Sequence, residues 1–418
     1  MRKHVLILLL TICTSTSILD SAEAQQANRL DIDDAIALAK QNNPALKGAR
    51  LQISLKKSEY WPALGIYPPE LSYLREGISS TADPRFTEQR WSISQTLDFP
   101  LFSYHRLRKV QTEKDALEMG VVGKTVQLTG NVKKAYIDLL YLQEIRHLRQ
   151  QEVRLAEQLL EAVELRVEVG ESSELEQMKA EIQLAAAQTG LEDAGKQFDV
   201  ARYALFSLVG IQAEQQTYDL SFADTLTYVR VDIDQAEVMA RLGDQYEWQS
   251  TQLSVAAARR GVSQFRSAIL PTITTQMYRQ DYGTGYNQYG FQLGIQVPVF
   301  SNFRSNIRQA KVQVQTQQIR ADETKLALKL ELETAWHGYE ASRLSIDRYV
   351  SSIKSRSEEL IGLTLEGYRI GELELLELLD TQRTYLTVQE RFYKDLRSYY
   401  YYLIELERFM GRDLVFNE

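Results

Sequence analysis

Cysteine is all but absent: Cys13 is the single one among 418 residues. Beyond that position no disulfide, thiolate metal site or cysteine nucleophile can be built. Histidine is nearly as scarce. His4, His105, His147 and His337 are the whole set, and no His-x-x-x-His pair exists to seat a hydrolytic zinc. A basic surplus is missing too. The 48 Lys+Arg face 56 Asp+Glu, a net charge of −8, which argues against a nucleic-acid binder, since such a protein normally shows a basic face. No apolar run approaches the length of about 18 residues that reads as a membrane helix, so a membrane location would have to use strands. Proline is rare and confined. The eight are Pro44, Pro62, Pro68, Pro69, Pro84, Pro100, Pro271 and Pro298, with none between 101 and 270 and none after 298.

The opening segment carries an address. Met1-Arg2-Lys3-His4 is basic, Val5 to Ile12 is an apolar stretch, and Ala22-Glu23-Ala24 supplies a small-residue exit. The pattern predicts a secretory signal peptide over 1–24. Ile12 before Cys13 is not the small residue that a lipid-anchored leader wants.

The rest of the chain is written twice. Leu30-Asp31-Ile32-Asp33 recurs as Val231-Asp232-Ile233-Asp234, Gly170-Glu171 as Gly371-Glu372, and Gly210 as Gly411, all at one constant spacing. Pro100-Leu101-Phe102-Ser103 recurs as Pro298-Val299-Phe300-Ser301 with a changed spacing, which places length differences in loops between the landmarks. A repeat of this period is a domain-scale duplication rather than a solenoid. The expected division is a first repeat over 25–212, a linker over 213–230 and a second repeat over 231–418.

Proline in a helix interior costs about 3 kcal/mol, so the proline-free tracts are free to be helical. Their Glu, Gln, Lys, Leu and Ala content and the apolar spacing of three and four agree, as in Val132, Ala135, Tyr136, Leu139 and Leu140. Ser103–Val169 and Phe303–Ile370 each predict one continuous helix of roughly 100 Å at 1.5 Å per residue. Gly170 and Gly371 then break them. Helices of that length have to pack side by side in an elongated bundle or tube.

The proline-bounded stretches alternate instead. Trp91, Ile93 and Leu97 share one face of Glu88–Leu97; Tyr289, Phe291, Leu293, Ile295, Val297 and Val299 share one face of the cleanest stretch. Two weaker strands, Leu64–Leu74 and Thr272–Gln280, precede turn-rich loops. Each repeat therefore predicts one hairpin, about 64–100 and 271–300. Strands of this length, apolar on one side and polar on the other, suit a tilted membrane barrel whose lipid-facing residues include Trp91, Ile93, Phe291, Leu293, Ile295 and Val297. Tyr278 is a further candidate for its aromatic girdle, while Tyr399-Tyr400-Tyr401-Tyr402 is expected to pack on neighbouring helices. Four strands cannot close a barrel, which takes about eight at least, so the chain has to oligomerise.

These residues together resemble the TolC family of bacterial outer-membrane efflux proteins. The resemblance rests on Leu30-Asp31-Ile32-Asp33-Asp34-Ala35 with Asn42-Asn43-Pro44, on the two strand exits, and on Tyr368-Arg369-Ile370-Gly371-Glu372 running into Leu375–Arg383. It covers nearly the whole chain after the leader. It implies a mainly α fold with a small transmembrane β part: a homotrimer whose long helices form a periplasmic α-barrel continuous with a 12-stranded outer-membrane β-barrel. It also implies an exit duct with no cofactor and no catalysis. Its partners would be outer-membrane lipid, a periplasmic adaptor and an inner-membrane RND or ABC transporter. By the family's pattern, Glu377 and Asp380 would narrow the periplasmic tip as rings of acid, and the turns Gly170-Glu171 and Gly371-Glu372 would dock the adaptor. The chain's compact length resembles the heavy-metal branch paired with RND pumps. A protein-secretion duct, and a soluble periplasmic adaptor or coiled-coil scaffold, are the competing expectations.

Overall fold

The computed structural model describes residues 30–81, 86–211, 226–298 and 303–415. The expected leader over 1–24, most of the 213–230 linker and the strand exit Val299-Phe300-Ser301 lie outside these residues.

The chain opens with α1 (Ile32–Asn42), α2 (Pro44–Ser58) and a short turn α3 (Tyr60–Ala63). Asp31 caps α1, its carboxylate accepting the Ile32 N–H at 2.6 Å, and Asn43 caps α2 through the N–H groups of Ala45 and Leu46. Side-chain oxygens at these positions satisfy donors that a helix start leaves orphaned. Strands β1 (Glu70–Glu76) and β2 (Glu88–Leu97) follow. Then α4 runs unbroken from Pro100 to Glu168, 69 residues, and α5 returns over Glu174–Val209. The second repeat copies this order. It holds α6 (Gln235–Ala240), a 3₁₀ turn (Arg241–Asp244), α7 (Tyr246–Ser267), β3 (Thr272–Asp281), β4 (Gln288–Gln296) and α8 (Phe303–Arg348). A π turn over Tyr349–Ile353 joins α8 to α9 (Lys354–Arg369), and α10 (Leu375–Met410) returns. The helices α5 and α10 are both 36 residues long and both end on a left-handed glycine, Gly210 or Gly411.

Two expectations are corrected here. The second long helix is not uniform: α8 and α9 are parted by the π turn. There Ser351 and Ser352 turn their hydroxyls onto the Arg348 carbonyl, at 3.3 and 3.0 Å, a local competition with backbone bonding. The first strand starts at Glu70 rather than Leu64. Pro68 and Pro69 lack the N–H that a ladder needs, and only a single bridge, Ile66 to Leu97, precedes them.

The four strands form one antiparallel sheet in the order β1-β2-β3-β4, leaving β1 and β4 as open edges. The helices next to the sheet keep that order: α2 packs on α4, α4 on α7 and α7 on α8. Further along, α5 packs on α4, α4 on α10 and α10 on α8. The main core gathers midway along the helices, from α1, α4, α5, α8 and α10. Leu139, Leu205, Leu332, Leu396, Leu403 and Leu406 are completely buried in it. Each such leucine contributes about 1.5–3 kcal/mol.

Charge pairs fix how α4 runs against α10. Lys133 meets Glu407 at 2.5 Å, Lys134 meets Glu405, Asp138 meets Arg397 at 2.5 Å, and Arg149 meets Glu390 at 3.0 Å. The numbers rise on one helix as they fall on the other, so the seam is antiparallel and in register. Across α8 and α10 lies an extended strap ending at Asp234, held by tyrosines. The Tyr399 hydroxyl donates to the Val229 carbonyl at 3.1 Å and accepts the Val231 N–H at 3.0 Å. Tyr400 donates to Thr227 at 2.6 Å, and Tyr339 donates to Val231. Three tyrosines of the Tyr399–Tyr402 run pack on neighbouring helices as expected: Tyr399 stacks on Tyr339 of α8, Tyr401 meets Lys134 of α4, and Tyr402 lies across Gly338 of α8, so close that a Cβ there would meet its ring at 2.3 Å; Tyr400 bonds the strap instead.

Candidate functional site

Two regions carry the chemistry: the sheet with its two faces, and the far ends of the helical hairpins.

Register decides the faces. Tyr73, Trp91, Arg279 and Tyr289 stand side by side across the four strands, and Leu71, Ile93, Met277 and Phe291 form the next row. Successive strand residues point to opposite sides, so every odd-numbered position belongs to this face. It is apolar and bare: Phe291 is 61% exposed, Leu293 57%, Ile295 60% and Val297 60%. Trp91 and Ile93 are exposed beside them, and Tyr73 leans on Trp91 with ring centroids 4.5 Å apart. The structure therefore brings all six sequence-proposed lipid-facing residues to one side. From Tyr289 to Val297 is eight residues, about 26 Å of strand and about 20 Å of membrane depth at a tilt near 40°.

The opposite face is polar and cross-linked by side chains. Ser72 bonds Ser92 at 2.6 Å, Arg90 donates to Gln280 at 3.0 Å, and Thr96 bonds Thr274 at 3.2 Å. Tyr278 belongs to this face, which corrects its place in the girdle. It lies over Gly290, where an added Cβ would stand 2.1 Å from its ring, and the Arg90 guanidinium sits 5.2 Å from the ring centroid. The weak apolar alternation of Ile273–Arg279 hides its phase; the glycine opposite is the signal that reveals it.

At the other end, both hairpins turn identically. Gly170 and Gly371 adopt φ of 80° and 78°, a conformation that costs other residues about 1–2 kcal/mol. Glu171 donates its N–H to Arg166 at 2.8 Å, and Gly170 donates to Val167 at 3.0 Å; Glu372 to Gly367 and Gly371 to Tyr368 repeat this at 2.9 and 3.1 Å. These paired bonds satisfy the last carbonyls of α4 and α9. Ser173 then caps α5 by accepting the Glu176 N–H at 3.3 Å, whereas Glu374 gives α10 no side-chain cap. Glu171 and Glu372 are exposed, and Val169 and Ile370 stand 70% and 60% exposed beside the glycines.

A small second core ties the two hairpins together: Leu159, Val163, Ala180, Tyr368, Leu375 and Leu378. Arg166 crosses between them. Its guanidinium lies 5.1 Å from the Tyr368 ring centroid and donates to the Tyr368 carbonyl at 3.4 Å. Burial pushes the Tyr368 phenol up, with Arg166 pulling the other way. Glu377 and Asp380 project from the first turns of α10, exposed, with no ion pair among the described residues. Asp380 faces the groove between α4, α5 and α10 with Arg149, Gln183 and Arg383. Their first-half counterparts are Glu176 and Lys179, so the two tips share a backbone and differ in charge. Sequence reasoning missed the Arg166–Tyr368 contact, because only the fold brings two residues so distant in sequence together.

Among the described residues no group of three His, Cys, Asp or Glu is arranged to hold a metal ion, and no helix is long and apolar enough to cross a membrane.

The family model for outer membrane efflux proteins matches residues 35–211 and 245–412. The chain belongs to that family. The match falls in two stretches, one in each half of the chain. The outer membrane efflux protein BepC of Brucella suis is 24% identical over 372 residues, 85% of this chain and 79% of that protein. The cobalt-zinc-cadmium resistance protein CzcC of Cupriavidus metallidurans is 21% identical over 408 residues, 96% and 94% of the two chains. Among solved structures, the outer membrane protein VceC of Vibrio cholerae superposes with a TM-score of 0.78 at 15% identity, covering 91% of this chain and 96% of its own. The expected family, the mainly α fold with its small sheet, and the outer-membrane location are borne out. An outer membrane efflux protein is a transport component rather than an enzyme.

Proposed function

We propose that three copies of this chain form the exit duct of a tripartite efflux pump, receiving substrate from an inner-membrane transporter through a periplasmic adaptor. The observation that carries this reading is the sheet: bare and apolar on one face, polar on the other, with the outer edges of β1 and β4 unpaired among the described residues. Three protomers of four strands give twelve, enough to close a membrane barrel and remove every edge.

The helices support the same operation. In the order α2-α4-α7-α8, the outer members carry unpartnered apolar side chains: Leu51 and Leu55 on α2, Val312, Ile319, Leu326 and Leu330 on α8. A threefold operation sets one protomer's α2 and β1 against the next protomer's α8 and β4, a head-to-tail contact that closes into a ring.

Within such a tube each acid facing the lumen becomes a ring of three. Glu377 and Asp380 are proposed to line the tip, where their rings favour cations and oppose anions. Gly170-Glu171 and Gly371-Glu372, with exposed Val169 and Ile370, are proposed as the adaptor's docking points. The two repeats, joined by a linker over 213–230, then supply alternate staves of one barrel. Relatives are named for different cargoes, cobalt, zinc and cadmium for one and pyoverdine for another, so the pump behind the duct sets the substrate.

The test is electrical and chemical. In planar bilayers, Glu377→Ala with Asp380→Ala should lose cation selectivity and gain conductance; unchanged selectivity removes these residues from the lumen. A crosslinker on a cysteine placed at Glu372 should capture an adaptor in the native envelope. A protein released with the soluble periplasm would replace the duct with a scaffold.

A further inference from the structure

The outward face of the sheet is not apolar to its end. Among the described strand residues, only Arg75, Arg279 and Asp281 are charged on that face, and all three lie at its loop end. Asp281 is occupied: its carboxylate accepts the N–H groups of Thr284 and Gly285 at 3.0 and 3.2 Å. The arginines are held by one side each. Arg279 donates its Nε to Asn287 at 2.8 Å, and Arg75 lies 4.9 Å from the centroid of the Phe86 ring. Among the described residues, the terminal nitrogens of Arg279 and all the nitrogens of Arg75 bond no partner.

Their setting says what they face. Arg279 sits in the row Tyr73, Trp91, Arg279, Tyr289, flanked on both sides by outward aromatic rings. Aromatic rows of this kind mark the boundary between acyl chains and headgroups. Arg75 is one row further out and two strands away, so the two Cα atoms are about 12 Å apart. A guanidinium is a planar fork of donors matched to phosphate oxygens. Two of them at headgroup depth, with the Asp281 carboxylate turned onto the Thr284 and Gly285 N–H groups and ion-paired to neither guanidinium among the described residues, form a phosphate-binding rim. The long helices continue from the opposite end of the sheet, so this rim belongs to the outer leaflet.

We propose that Arg75 and Arg279 bind the phosphate of a phosphorylated glycolipid in the outer leaflet, three such rims encircling each assembly. This inference rests on the channel reading above. The exposed Tyr282 and Tyr286 of the β3–β4 loop stand above the rim, where sugar rings can stack. Each basic side chain beside an anionic membrane surface is worth about fivefold in binding, so the pair is worth about thirtyfold.

The experiment uses full-length protein extracted from outer membranes. Native mass spectrometry would measure binding of bis-phosphorylated lipid A against the same lipid stripped of phosphate, with inorganic phosphate as competitor. The wild type should prefer the phosphorylated lipid about thirtyfold. Arg75→Ala with Arg279→Ala should lose the preference, Arg75→Lys with Arg279→Lys should keep most of it, and Arg90→Ala on the inner face should keep all of it. Equal binding of both lipids by the wild type, or a preference that survives the double alanine variant, overturns the proposal. A detergent-requiring trimer without the preference overturns it alone. A protein that stays soluble and monomeric without detergent overturns the channel reading together with it.

Discussion

A single arginine placed one residue to either side of the sheet tests the face assignment directly. Leu293 and Gln292 are neighbours in β4. Leu293 is 57% exposed on the apolar side. It lies halfway along the band from Tyr289 to Val297, near mid-membrane. Gln292 points the other way, opposite Gln276 in the register. Arginine on the lipid face of a barrel costs about 2–4 kcal/mol at the midplane. Three copies raise that to about 6–12 kcal/mol per trimer, comparable with the whole stability of an ordinary domain. Leu293→Arg should therefore leave little folded trimer in outer-membrane fractions and lower its resistance to heating in detergent. Gln292→Arg meets water and other polar side chains, so assembly should be unaffected while anion permeability rises. The assay is the heat-induced shift from trimer to monomer on gels, with both variants expressed at equal level. Equal tolerance of the two arginines, or a greater defect at Gln292, would refute the assignment of lipid to the odd-numbered face.

Other consequences are smaller in scope. Gly371→Ala, at φ 78°, should destabilise the α9–α10 turn by about 1–2 kcal/mol, read as faster amide exchange there. Gly362→Ala inside α9, where a Cβ meets nothing within 4 Å, should stabilise by about 0.5–1 kcal/mol. Tyr399→Phe removes the bonds to Val229 and Val231 and should cost about 1–3 kcal/mol, with loss of exchange protection at Val231. Lys133→Met strands the buried Glu407 and should cost about 3–5 kcal/mol in thermal or denaturant unfolding. Burial lowers the Lys133 pKa, but Asp413 and Glu407 outweigh it and raise it overall; Lys133 holds Asp413 below the usual range. A raised lysine contributes fully below its ordinary value of about 10.4 and loses that contribution as pH rises through the folded value. A lowered aspartate contributes above about 3.9 and loses it as pH falls. Burial holds Glu407 above its ordinary range, so its contribution is lost as pH rises through its folded value. Asp413→Asn should remove the acid-side part and, because Asp413 is the first of the groups that raise Lys133, some of the alkaline part as well.

What could be read without coordinates follows from strong local signals. Proline placement separated helix from strand because a missing N–H and a fixed φ act locally. The alternation from Tyr289 to Val297 named the exposed apolar face for the same reason, one residue at a time. The tip glycines were visible because two copies of one turn repeat at a constant spacing. The π turn was not visible. No proline or glycine marks Tyr349–Ile353, and the serines that bond Arg348 are unremarkable in a helical sequence. Tyr278 was misplaced because Thr274, Thr275 and Gln276 suit either side of a sheet. The seam from Lys133 to Arg149 and the tyrosine bonds to the strap depend on partners that only folding brings near. The proposed acidic positions Glu377 and Asp380 stand on α10 and are exposed; a ring of either would need the proposed trimer.

The duplicated turn has a consequence for counting. Each chain ends in two hairpins of the same backbone shape, so the proposed trimer would end in six, like the teeth of one crown. A partner that reads backbone and the apolar pair Val169 or Ile370 meets six equivalent points. A partner that reads charge meets only three of each kind, because Lys179 stands where the other tooth has Asp380 and Ser173 stands where it has Glu374. In the proposed trimer the crown would offer six places in two alternating chemistries, and a single adaptor species filling all six would have to grip alternate teeth with unequal strength.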